Sequence, residues 1–230
     1  MKKARIEVFK DPKEIATYLS ELLIELTNKS DISMALSGGS TPEKIYSHLT
    51  SIPIPWSKIH LFWGDERMVP PYDPQSNFLM VKNSLLDHII IPEININRIQ
   101  GENNPTSESD RYSELILNSN MGKFDLILLG LGTDGHIASI FPGNINLFET
   151  DKVCSPSIHP ESKQVRISIT GKTINSSAVI VFIVTGKSKS GIINEIINRK
   201  GDWQKYPASY TNLKTGEIIW LLDKEAASQL

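Results

Sequence analysis

A histidine and an aspartate two residues apart are the first feature of this chain that could do chemistry. Asp134 and His136 stand in GLGTDGHIASIFPG, residues 130–143, directly after the apolar run Phe124–Leu129. Histidine titrates near neutral pH and is the commonest general base, and a neighbouring carboxylate fixes its tautomer and stabilises its charged form. The same stretch matches G-x-G-x-x-G at Gly130, Gly132 and Gly135, the pattern of a dinucleotide-binding turn. That reading needs a helix of some length and then a second strand ending in an acid about 20 residues on. Phe141-Pro142-Gly143 stops any helix after about two turns, and the Asp134 carboxylate would repel a pyrophosphate. The glycines are therefore expected to bend the chain so that Asp134 and His136 stand at the strand's end.

A second glycine turn, Ser37-Gly38-Gly39-Ser40-Thr41-Pro42, opens a predicted helix. Free N–H groups and the positive end of a helix suit a phosphate. Ser40 and Glu43 read as an S-x-x-E capping box, with Pro42 in the first turn. No Lys-Ser/Thr pair closes the loop, so it is not a nucleoside-triphosphate cradle. The third block, Trp63-Gly64-Asp65-Glu66-Arg67, follows an apolar strand. A solvated turn is the reading favoured for Glu66, whereas Asp65 or Arg67 pointing into a cleft would hold a carbonyl or an oxyanion. Arg166 lies within the strand pattern VRISIT and Lys189 opens a helix at its positive end. Each reads equally as a ligand cation or as a surface cation.

Other chemistries find little support. There is no G-x-S-x-G elbow, Ser139 lies past the turn, and Cys154 has no activating neighbours in sequence. No His, Cys, Asp and Glu grouping has metal-ligand spacing. His48, His60, His88 and His159 read as structural.

The elements that must position these residues alternate along the chain. Strands are predicted at 6–9, 32–36, 58–63, 124–129, 165–169, 179–185 and 217–222, several of them apolar nearly throughout, which implies burial on both faces of a mostly parallel sheet. A helix follows Asp11, with Pro12 at its first position, Glu14 completing a D-x-x-E box, and Ile15, Leu19, Leu22, Leu23 and Leu26 at helical spacing. Further helices are predicted at 42–49, 76–88, 106–118, 187–199 and in the C-terminal tail, with loops at 70–74 and around 143–163. In a doubly wound sheet, ligands gather at the carboxyl ends of the strands, where SGGSTP (37–42), GDER (64–67), GLGTDGH (130–136) and TGKSK (185–189) all fall.

The 230 residues suit one α/β domain spanning 1–230, with 40% hydrophobic and 22% charged residues. A formal net charge of −2 and the lack of a dense basic block argue against a nucleic-acid partner. The one cysteine excludes an intramolecular disulfide and suits a reducing, cytoplasmic compartment. The basic start has no apolar core of a signal peptide, and no apolar run is long enough for a membrane partner.

Taken together, SGGSTP (37–42), GDERMVPPYDPQSN (64–77), FDLILLGLGTDGHIASIFP (124–142), VRISIT (165–170), VTGKSK (184–189), PAS (207–209) and IIWLLDKEAA (218–227) resemble the 6-phosphogluconolactonases, a family related to the glucosamine-6-phosphate deaminases. The resemblance covers almost the whole chain. It implies the doubly wound α/β fold of the deaminase and hydrolysis of a phosphorylated sugar lactone without metal or organic cofactor, by a monomer or small homo-oligomer. It implies His136 as general base supported by Asp134, Arg67 beside the lactone, and Asp65 in the substrate site. Gly38, Gly39, Ser40 and Thr41 would bind phosphate, with Arg166 and Lys189 as its cations. Ser168 stands where the family more often has Thr, which keeps a hydroxyl. Two alternatives are a deaminase and a non-catalytic sugar-phosphate sensor. The deaminases resemble F-N-E-P after D-G-H-I-A, with a catalytic glutamate, and D-E-Y where this chain has Asp65-Glu66-Arg67. Here the first of these blocks reads Ser139-Ile140-Phe141-Pro142, with no acid.

Overall fold

The computed structural model describes residues 4–120 and 123–230; part of the basic N-terminal stretch, residues 1–3, lies outside them. In chain order the elements are β1 (Arg5–Phe9), α1 (Pro12–Thr27), β2 (Ile32–Leu36), α2 (Ser40–Leu49), β3 (Ile59–Trp63), β4 (Asp65–Arg67), α3 (Asn77–Ser84), β5 (Ile96–Asn97) and α4 (Pro105–Asn120). They continue with β6 (Leu126–Leu129), β7 (Cys154–Ile158), β8 (Val165–Ile169), α5 (Gly171–Ser176), β9 (Val179–Val184), α6 (Ser190–Asn198) and β10 (Glu217–Asp223).

Seven strands form a sheet in the order β1-β10-β9-β6-β2-β3-β5, flanked by helices. Every neighbouring pair in it is parallel. The central strands are apolar because they are covered on both faces: every residue of β2 and β6 is buried. Phe182 of β9 stacks on Trp220 of β10 with ring centroids 4.0 Å apart. The α1 stripe seats Ile15, Leu19 and Leu23 in this core. Asp11 accepts from the N–H groups of Lys13 and Glu14, and Glu14 reaches back to the N–H of Lys10, so the expected capping box closes one residue further out.

Five expectations change. Val165–Ile169 is not part of the main sheet; β8 pairs antiparallel with β4 and β7 in a second, three-stranded sheet. β7 itself arises within the stretch read as loop. The Asp65–Arg67 block, expected as a loop after the strand at 58–63, is strand β4. The C-terminal tail forms turns rather than a helix, and the helix expected over 76–88 ends at Ser84, followed by a short 3-10 turn. Gly64 is the junction between the two sheets. Its N–H donates to Leu36 O of β2 and its carbonyl accepts from Ile169 N of β8, both at 2.8 Å.

Candidate active site

Strand order reverses between β2 and β6: the chain leaves β2 towards β3, and leaves β6 towards β9. Such a switch point opens a crevice beyond the carboxyl ends of the strands. A cleft of about 260 Å³ lies here, lined by the residues after β2, β3, β6 and β9. Gly38, Gly39, Ser40, Thr41, Asp65, Arg67, His136, Arg166 and Lys189 all line it; Asp134 stands behind His136.

After β6 the chain folds back on itself. Gly132 N donates to His136 O at 2.9 Å and Gly135 N to Gly132 O at 3.0 Å. A Cβ on Gly132 would fall 2.1 Å from His136 Nδ1 and 2.5 Å from Asp134 Oδ1, so no larger residue leaves room for the pair. Gly135 turns with φ +77°, a region that glycine enters without steric cost. His136 Nδ1 and Asp134 Oδ1 are 2.6 Å apart, and Oδ1 also accepts from His136 N at 3.1 Å. An ionised carboxylate only accepts, so the proton is assigned to Nδ1 and the lone pair to Nε2. Burial pushes the Asp134 carboxyl up, but the hydrogen bond and charge of His136 outweigh it and hold the group at about 2. Phe141 packs on the imidazole with ring centroids 4.9 Å apart.

On the opposite wall, α2 begins at Ser40, two residues before the expected 42–49. Gly39 at φ 106° is its N-cap, and the helix has no side-chain cap. The expected Ser40–Glu43 box is thus not formed, because Ser40 already sits inside the helix. An uncapped first turn leaves N–H groups free for an anion. Thr41 Oγ1 lies 2.8 Å from Thr185 Oγ1, joining this turn to the loop after β9. Lys189 projects from that loop into the cleft. Burial lowers its ammonium below the ordinary lysine value, and the Asp134 charge restores part of it.

The small sheet supplies the remaining cations. Arg67 on β4 stands directly opposite Arg166 on β8. Like charges facing each other across strands destabilise a sheet, and each guanidinium has a buried Nε with no partner. Burial, the largest effect, lowers Arg166 below the ordinary arginine value. Arg67 Nη1 donates to the Gln75 carbonyl. None of Arg67, Arg166 and Lys189 forms an ion pair among the described residues. Three cations without an ion-pair partner among the described residues surround one crevice, an arrangement able to hold an anion.

Glu66 overturns its expected reading as a solvated turn residue. It is 2% exposed and accepts from Arg67 N, Asn77 N, Phe78 N and Ser76 Oγ at 2.7–3.0 Å. Burial raises its carboxyl above the ordinary glutamate value, and the three backbone donors oppose that. Its job is to tie the α3 N-terminus to β4. Asn77, not singled out from the sequence, is placed by this tie. Its side chain donates to Asp65 O at 3.0 Å, and a Cβ on Gly38 would fall 1.9 Å from its Oδ1. Asp223 was missed as well; it accepts from Gly186 N at 3.0 Å and anchors the Lys189 loop. Neither had a signal beyond membership in a polar block. Among the described residues no group of three or more His, Cys, Asp and Glu could hold a metal ion, and Cys154 is free, buried and pushed up to about 12 by that burial.

A family model described as glucosamine-6-phosphate isomerases/6-phosphogluconolactonase matches residues 10–220. The chain belongs to this family. It is 44% identical over 207 residues to a 6-phosphogluconolactonase of Haemophilus influenzae, covering 86% of this chain and 88% of that one. The solved 6-phosphogluconolactonase of Thermotoga maritima superposes with a TM-score of 0.88 at 28% identity, over 96% of this chain and 100% of the other. A monomeric glucosamine-6-phosphate deaminase matches with a TM-score of 0.85 at 22% identity, over 98% and 100% of the two chains. This last likeness shows the shared fold alone.

Proposed function

We propose that this chain hydrolyses 6-phospho-D-glucono-1,5-lactone to 6-phospho-D-gluconate, by general-base activation of water and without a metal or organic cofactor. One observation carries the reading: His136 lines an anion-binding cleft with Nδ1 tied to Asp134, which leaves Nε2 free to take a proton. The uncapped turn of α2, with Arg166 and Lys189, grips the phosphate and turns the lactone carbonyl towards the 130–136 loop. His136 Nε2 removes a proton from water as its oxygen adds to C1. Asp134 stabilises the imidazolium, and Arg67 steadies the oxyanion. The C1–ring oxygen bond then breaks, and the imidazolium returns its proton to the departing oxygen. General-base catalysis supplies about 10²–10⁴-fold, a sufficient share for a lactone that already opens slowly in water once positioning is added.

No carboxylate occupies residues 137–142, where a deaminase of this family carries its glutamate, and Asp65 is engaged by Ser139 at 2.6 Å. The chain acts as one domain, and we place it in the cytoplasm. No described helix is long and apolar enough to cross a membrane.

The test is acid release from the phosphorylated lactone in a pH-stat, above the uncatalysed background, beside ammonia release from glucosamine 6-phosphate. We expect turnover of the lactone only, and a loss of about 10²-fold or more in kcat for His136→Ala at unchanged fold. Near-wild-type turnover by that variant would refute the assignment. Binding of the phosphosugar with no turnover of either substrate would identify a sensor instead.

A further inference from the structure

We infer that Ser139 is a positioning residue, which holds the Asp65 carboxylate away from Arg166 and so keeps that guanidinium open to the substrate's phosphate. The inference rests on the reading of the cleft as a phosphate site.

Asp65 and Arg67 are two apart on β4 and share a face, and Arg166 stands opposite Arg67. A buried carboxylate is therefore the natural partner of a desolvated arginine, yet the two form no ion pair. Asp65 is 6% exposed, and its Oδ2 instead accepts from Ser139 Oγ at 2.6 Å. Ser139 Oγ is itself 3.5 Å from Arg166 Nη1, so the serine oxygen stands between the two charges. The serine cannot drift. It is fully buried, its N–H donates to Ser168 Oγ at 3.1 Å, and its carbonyl accepts from Ser157 Oγ at 2.6 Å. Ala138 before it adopts φ 47°, an unusual conformation for a residue with a Cβ, which the three seryl bonds hold in place. The other side of Asp65 is pinned by Asn77, whose amide donates to the backbone carbonyl.

Removing the hydroxyl leaves a buried carboxylate oxygen without its donor, a costly state. Arg166 Nη1, already beside the vacated position, is the donor at hand, and a fork-to-carboxylate pair would occupy the guanidinium. The substrate phosphate would then have to displace an internal anion.

A double-mutant cycle read by calorimetric titration with inorganic phosphate tests this without reference to catalysis. Ser139→Ala should weaken phosphate binding about tenfold, the equivalent of roughly 1.4 kcal/mol. The double variant Ser139→Ala/Asp65→Asn should return to within about threefold of wild type, because no charge remains to compete. A general packing defect would instead persist in the double variant. Unchanged phosphate affinity in folded Ser139→Ala, or a double variant as weak as the single one, overturns the inference. Should Ser139→Ala fail to fold by circular dichroism, Ser139→Cys takes its place with the same expectations, since a thiol is a much weaker donor. Wild-type protein that binds no phosphate would sink the phosphate reading and the inference together. Wild-type protein that binds phosphate but leaves the lactone intact would overturn only the proposed activity.

Discussion

Replacing Asp134 by Asn isolates the charge behind the proposed base. The amide oxygen can still accept from His136 Nδ1, so the ring keeps its orientation while the carboxylate is lost. A hydrogen bond to a charged group contributes about 1.5–3 kcal/mol. The Asp134 side chain is 41% exposed, and solvent screening places the effect at the low end, about 1.5–2 kcal/mol. That corresponds to a fall in kcat of roughly 10–30-fold. The pH dependence follows with its sign. Held at about 2, below the ordinary value of 3.8, Asp134 stays ionised throughout any assay above about pH 4. The acid limb of kcat/KM in the wild type therefore belongs to another group. Steady-state acid release, corrected for spontaneous opening, reads the change in kcat. A kcat within about twofold of wild type would refute the claim that Asp134 supports the base.

Other substitutions probe the rest of the site. Arg166→Ala and Lys189→Ala should each raise KM for the phosphorylated lactone by about 10–150-fold, one charged hydrogen bond's share, with kcat less affected and an unphosphorylated lactone indifferent; parallel kinetics on the two lactones check this. Gly132→Ala would place a Cβ 2.1 Å from His136 Nδ1, and the displaced imidazole should lower kcat by about 10²-fold while the protein still binds phosphate. Glu66→Gln turns an acceptor into a donor that faces backbone N–H groups, costing about 3 kcal/mol, or a fall of roughly 6–12 °C in Tm by calorimetry. An unchanged Tm would show that the four hydrogen bonds to Glu66 do not hold α3 in place. Acid unfolding should follow Asp134 in part: its lowered carboxyl adds stability that is fully present above about pH 4 and lost as pH falls towards 2. The Asp134→Asn variant should therefore show a shallower pH dependence of stability over that window.

Much of this protein was legible from its chain alone. Buried parallel strands must be apolar on both faces, so β2, β6 and β9 announced themselves, and loops at their carboxyl ends had to carry any ligand chemistry. The break at Pro142 disposed of a dinucleotide turn, and two residues' separation was enough to join Asp134 to His136, because a glycine turn of that length cannot carry them apart. Every other relation in the site depends on residues far apart in sequence. Arg67 and Arg166 face each other only because Gly64 moves the chain from the large sheet to the small one, where β8 pairs with β4. Glu66 looked like a solvated charge, and burial with four donors from β4 and α3 made it an anchor. The Ser40 cap looked sound by spacing, but the helix began at Ser40 itself, and the cap fell to Gly39. Ser139 and Asn77 gained their places only through partners distant in sequence: Asp65, Ser157 and Ser168 for the first, Asp65 and Glu66 for the second. Periodicity and turn chemistry are local and are written in neighbouring residues, whereas the partners of a buried charge are chosen by strand register and sheet packing, which form only when the whole chain has folded.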